Sequence, residues 1–176
     1  MYDIVTQSDH NYQMAEFRDH ARIPWTDDDA ALQRSLDAAV VAWERMTSHF
    51  VRATTIDIQL APAQVVPFGP DPTLVSVTAT NLKDDTTDNV TADWAIRRGW
   101  GASVVTLRPS AKWYPSDNQY TFRISTAGGS DAVVKSAIFG IGEHLFQHRG
   151  VVDGTGFQDI PYTVRAIVGN YQKGSA

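Results

Sequence analysis

The chain contains no cysteine. A disulfide scaffold, a thiolate zinc site and a cysteine nucleophile are therefore excluded. Long hydrophobic runs are also missing. The longest, Ala38–Trp43 and Ala137–Phe139, fall far short of the ~20 apolar residues of a membrane-spanning helix. Positive charge is in deficit, with fifteen Lys and Arg against twenty Asp and Glu, a net of −5. Affinity for phosphate backbones rests on clustered cations, so gripping nucleic acid is not the main task expected of this chain. The first ten residues, MYDIVTQSDH, carry neither a basic start nor an apolar stretch, and no secretory signal is expected there.

What is present is the composition of a soluble globular protein: 176 residues, 43% apolar, 20% charged and 10% aromatic. A chain of this length buries roughly 70% of its unfolded surface and needs no staple to stay folded. Its charge is unevenly spread. Residues 1–50 carry a net −5, residues 51–100 a net −2 and residues 101–176 a net +2. Solvated faces of different elements account for such a gradient. A sharper reading is a head-to-tail contact in which the acidic front of one copy meets the basic rear of the next.

Periodicity divides the chain into helices, then strands, then helices. Residues Asn11–Ala21 predict a short helix with Met14, Phe17 and Ala21 on one face, ended by Pro24. Thr26 is the expected cap of a longer helix, with Asp29 bonding back to it and Asp27–Asp29 favoured by the helix dipole. Leu32, Leu36, Ala39, Val40, Trp43 and Met46 form its apolar stripe. Five short strands follow, at residues 51–60, Thr73–Thr80, Val90–Arg97, Ser103–Arg108 and Gln119–Thr126, with a polar turn at Asn81–Asn89. Helical spacing returns from a cap at Ser130 to about His148, and again after Pro161. The expected fold is α+β: a helical bundle formed from the N- and C-terminal helices with an inserted antiparallel β unit. Its segments are 1–50, 51–127 and 128–176.

No constellation rises to a catalytic or cofactor signal. His144 and His148 share a helix face beside Glu143, but a third ligand is missing, and a solvated helix end explains them better. The acidic run Asp84–Asn89 lacks the glycine and distal glutamate of a calcium loop. Gly140 and Gly142 lie inside a helical pattern and suit close helix packing more than a dinucleotide. Trp94, Trp100 and Trp113 sit in or beside the β unit, where a sugar-binding face is conceivable and inter-strand packing is favoured. No metal and no cofactor are expected.

The stretch Thr26–Ala39 is similar to the acidic-start helix of the head–tail connector, or adaptor, proteins of long-tailed phages and gene transfer agents. Asp131–Ile138 leading to Leu145–Arg149, and Ile160–Val168 leading to Tyr171, resemble that family's later helices in order and spacing. The resemblance implies a structural virion protein and no enzyme. Copies would form a ring, commonly of twelve, below the portal; the ring extends the DNA channel and docks the stopper or tail. DNA would pass through without specific binding, and no membrane partner is implied. The protein would reside in the virion neck, and in host cytoplasm during assembly. Pro161, Val164, Ile167, Val168 and Tyr171 are then the expected portal- or neighbour-binding residues. Asp27, Asp28 and Asp29 are an expected ring-interface patch, and Trp100 and Trp113 expected tail-side or neighbour contacts. Another neck or tail-completion protein, or a small carbohydrate-binding module, are the alternative readings.

Overall fold

The computed structural model describes residues 2–60, 65–66, 71–98, 103–108, 118–148 and 162–172. The chain is mixed α+β and divides into two compact units. One holds Met1–Asp9 and Arg52–Gly129, the other His10–Val51 and Ser130–Lys173.

The first unit is built of antiparallel strands. Its larger sheet has five, in the order β1 (Tyr2–Gln7), β2 (Thr54–Gln59), β8 (Asn118–Thr126), β4 (Thr73–Asn81) and β5 (Thr87–Asn89). A smaller sheet orders β3 (Val65–Val66), β7 (Ser103–Leu107) and β6 (Trp94–Arg98). The alternation read at Ile56 and Ile58 places both on the buried face, opposite Ile124 and Phe122 of β8. Val77 and Ala79 of β4 join them. The small sheet packs on the large one through Trp94, whose ring stands edge-on to Phe122 at 4.8 Å. Trp94 is therefore core, as inter-strand packing required.

Three strands depart from the expected five. β1 lies in a stretch expected to lead into helices, and it joins the β unit by pairing with β2. A bulge between Ile4 and Thr6 interrupts its alternation, which hides the period-two signal. β5 occupies part of the expected polar turn. All three of its residues are exposed, so no apolar pattern marks it. β3 is two residues long and sits within a proline-rich stretch.

The second unit gathers α1 (Met14–His20), α2 (Asp29–Thr47), α3 (Ala132–Gln147) and α4 (Tyr162–Gln172) around one apolar cluster. Leu32, Leu36, Ala39, Val40 and Trp43 of α2 are all buried in it, as the stripe predicted, while Met46 is half-buried. Burying each of Leu32, Leu36 and Val40 stabilises the fold by roughly 1.5–3 kcal/mol. α2 starts later than Thr26. Asp28 takes the cap position without a side-chain capping bond, and the Thr26 backbone carbonyl accepts from Asp29 N at 3.1 Å. The expected return bond from Asp29 does not form because its carboxylate pairs with Arg18 of α1. Ser48, in the left-handed region at φ 53°, ends the helix. α3 is capped by Asp131, one residue beyond Ser130, whose Oδ1 accepts from Val134 N at 2.8 Å.

Two glycines set the helix spacing. A Cβ on Gly142 would stand 2.7 Å from Cζ of Phe17 in α1, and one on Gly140 would stand 3.2 Å from Cγ2 of Val164 in α4. Both glycines therefore serve close packing, as their place inside a helical pattern suggested.

Candidate functional site

The acidic turn before α2 is smaller than its sequence suggests. Asp29 is tied to Arg18, and Asp28 and Asp29 are half-buried, whereas Asp27 is exposed. Beside it stands Trp25, 52% exposed. An exposed tryptophan next to an exposed carboxylate suits a protein contact, since tryptophan is enriched among the residues that carry binding energy at interfaces. Trp25 belongs to no helical or strand pattern, so periodicity alone does not single it out. Pro24 before it and the absence of helical spacing around it are the signals that mark it as a loop residue free to point outward.

The apolar residues of α4 have an intramolecular role. Val164 and Val168 are buried in the helical core, and Ile167 and Tyr171 pack against it half-buried. Tyr171 stacks edge-on to Trp43 at 5.3 Å and to His49 at 5.2 Å. The outward face of α4 presents Thr163, Arg165, Ala166 and Asn170. Arg165 is the only charged residue between Tyr162 and Gln172. Pro161, Trp100 and Trp113 lie outside the described residues.

A polar cluster closes one end of the helical unit. Glu44 is 3% exposed, and its Oε1 accepts from Val51 N at 3.1 Å, turning the chain back after Ser48. His49 donates its backbone N–H to Oγ1 of Thr47 at 3.1 Å. Burial holds the His49 imidazole below its ordinary pKa, against the opposing pull of the Asp131 and Glu44 carboxylates. Asp131 is shifted the other way: the Val134 N–H bond, helped by the Tyr171 hydroxyl, keeps its carboxyl below the usual range.

His144 and His148 approach to 4.4 Å between ring centroids, and His20 Nε2 lies 3.8 Å from Oε2 of Glu143. Among the described residues, no group of three or more His, Asp or Glu is placed to hold a metal ion. None of their helices is long and apolar enough to cross a membrane.

No protein-family model matches the chain, and neither does any curated protein sequence. Solved structures do. Over 98% of this chain and 95% of the other, the fold matches a chain from the neck of an empty GTA particle computed with C6 symmetry, at TM-score 0.72 and 18% identity. A chain from the virion of a native gene transfer agent (GTA) particle matches over the same shares, at TM-score 0.72 and 19% identity. A third, from the neck of a native GTA particle computed with C12 symmetry, gives TM-score 0.70 and 19% identity over 98% and 94% of the two chains. The fold is shared with chains of gene transfer agent particles. Both units contribute to that likeness, since nearly the whole of each chain is covered. At identities this low the shared property is the fold itself.

Proposed function

We propose that the chain is a structural component of the neck of a phage-like particle, acting as a head–tail adaptor. Copies assemble into a ring below the portal, extend the DNA channel and dock the stopper or tail. The observation that carries this reading is the likeness over 98% of the chain to chains in necks computed with C6 and C12 symmetry. The order of the helices, which led the sequence to the adaptor family, supports it independently.

The physical properties agree with that role. A conduit through which DNA slides must not hold it, and a subunit of net charge −5 repels phosphates over about one Debye length. Closed rings need two different surfaces that fit each other. The acidic turn around Asp27 is one such surface, and the outward face of α4 is the other. Because Val164 and Val168 are already packed inward, the docking role proposed for the C-terminal helix falls to its outward residues.

Negative-stain images of the purified protein mixed with its portal ring test the proposal. Rings of the chain stacked on the portal are expected. A protein that stays monomeric and leaves the portal bare refutes the adaptor role.

A further inference from the structure

The helical unit has two outward surfaces of opposite character. The first is the α1–α2 connection, with Trp25 half-exposed and Asp27 exposed beside it. Arg22 is the one base of that connection, and Asp29 is neutralised by Arg18. The second is the outer face of α4, where exposed Arg165 is flanked by the small exposed side chains Thr163 and Ala166.

Packing around α3 fixes where these surfaces lie. Gly140 meets Val164 of α4, and Gly142 meets Phe17 of α1. Residues two apart on a helix are rotated by about 200°, so they face nearly opposite ways. α1 and α4 therefore flank α3 on opposite sides. The connection bearing Trp25 leaves from the α1 side, and Arg165 adjoins Val164 on the α4 side. One copy thus presents an aromatic, acidic surface on one flank and a cationic, small-residue surface on the other.

We propose that Trp25 is the anchor of the contact between neighbouring copies, seated on the outer face of α4 of a second copy. Asp27 of the first copy pairs with Arg165 of the second, and the Trp25 ring lies against the same guanidinium and the bare surface at Ala166. Arginine over an indole face gains from the ring's quadrupole, and the paired carboxylate fixes its orientation. Opposite flanks are what a head-to-tail contact requires, because each copy then receives and gives the same contact until the ring closes. This inference rests on the ring reading and names the residues that would make the ring.

The absence of cysteine makes a direct test clean. Thr26→Cys and Ala166→Cys, both at exposed positions, are combined in one chain and rings are assembled on the portal and oxidised. A disulfide-linked ladder on a denaturing gel, extending beyond the dimer, is expected, since each link joins position 26 of one copy to position 166 of the next. Either single variant has no thiol facing it across the contact and should stay monomeric on the gel. Trp25→Ala should weaken association about tenfold or more, and Asp27→Lys should do likewise unless combined with Arg165→Glu. Rings that form normally, give no ladder and ignore Trp25→Ala overturn this contact while leaving the ring reading standing. If no rings form, the ring reading itself fails and the contact falls with it.

Discussion

The hydroxyl of Tyr171, on the last turn of α4, donates to Oδ2 of Asp131 at 3.0 Å, while Oδ1 of the same carboxylate caps α3. One side chain thus terminates one helix and fastens another. The Tyr171 ring, lying against Trp43 and His49, completes the fastening. The C-terminal helix is held at both ends of its inward face, by Val164 against Gly140 and by Tyr171 at the α3 cap.

Tyr171→Phe keeps the ring contacts and removes the hydrogen bond. A loss of about 0.5–1 kcal/mol is expected in urea denaturation, in the range of a single partly exposed bond. Asp131→Ala removes the cap as well, and about 1–2 kcal/mol should be lost. Asp131→Ala costing no more than Tyr171→Phe would mean that the cap contributes nothing.

The two α3 glycines should respond differently to the same added methyl. At Gly142 the new Cβ would lie 2.7 Å from the Phe17 ring, which is fully buried and has nowhere to move. Gly142→Ala should therefore destabilise by about 1–3 kcal/mol. At Gly140 the nearest atom is a Val164 methyl at 3.2 Å, and the helix-propensity gain of roughly 1 kcal/mol from alanine offsets the crowding. Gly140→Ala should come out near neutral. Thermal melts of the two variants side by side distinguish these outcomes.

Much of this architecture is legible in the sequence, and the unread parts have common physical causes. α2 and α3 bury one stripe each, so the spacing of Leu32, Leu36 and Trp43, or of Val134, Ile138 and Ile141, is enough to find them. β1 and β5 are edge strands, where one side lacks a neighbour and burial imposes little pattern. The cap at Thr26 failed for a non-local reason, since Arg18, eleven residues before Asp29, claims the carboxylate. The surface residues are the least legible. The acidic triplet is visible as composition, but that Asp29 is paired and Asp27 is left outward depends on α1. The role of Val164 and Val168 was equally ambiguous, because an apolar helix face reads alike whether it closes its own core or docks on a partner.

The lowered pKa of His49 predicts an acid-sensitive fold. Burial disfavours the imidazolium in the native state, so the unfolded chain binds a proton more readily, at the ordinary value near 6.5. Stability contributed by this group is fully present above pH 6.5 and is lost as pH falls from there through the lower native value. Urea midpoints measured between pH 8 and pH 5 should decline in the native protein. In His49→Gln, which keeps a polar side chain of similar size, the decline should flatten. An unchanged slope assigns the effect to other groups.

Deleting residues 162–176 tests whether α4 belongs to the fold or only to a partner. Val164 and Val168 bury against α3 and α2, and their removal costs roughly 1.5–3 kcal/mol each before the uncovered surface of Trp43 and Gly140 is counted. Such a loss is a large share of the 5–15 kcal/mol that holds a typical domain folded. The truncated chain should melt at much lower temperature, bind a hydrophobic dye and aggregate. A truncation that stayed soluble, cooperative and equally stable would show that the inward contacts of α4 contribute little, and that its apolar residues are available for a partner. Substituting only the outward charged residue, Arg165→Glu, separates the two roles. It should leave the stability unchanged within about 0.5 kcal/mol, because the side chain is exposed. Any defect in ring assembly then belongs to the surface of α4 and not to the fold.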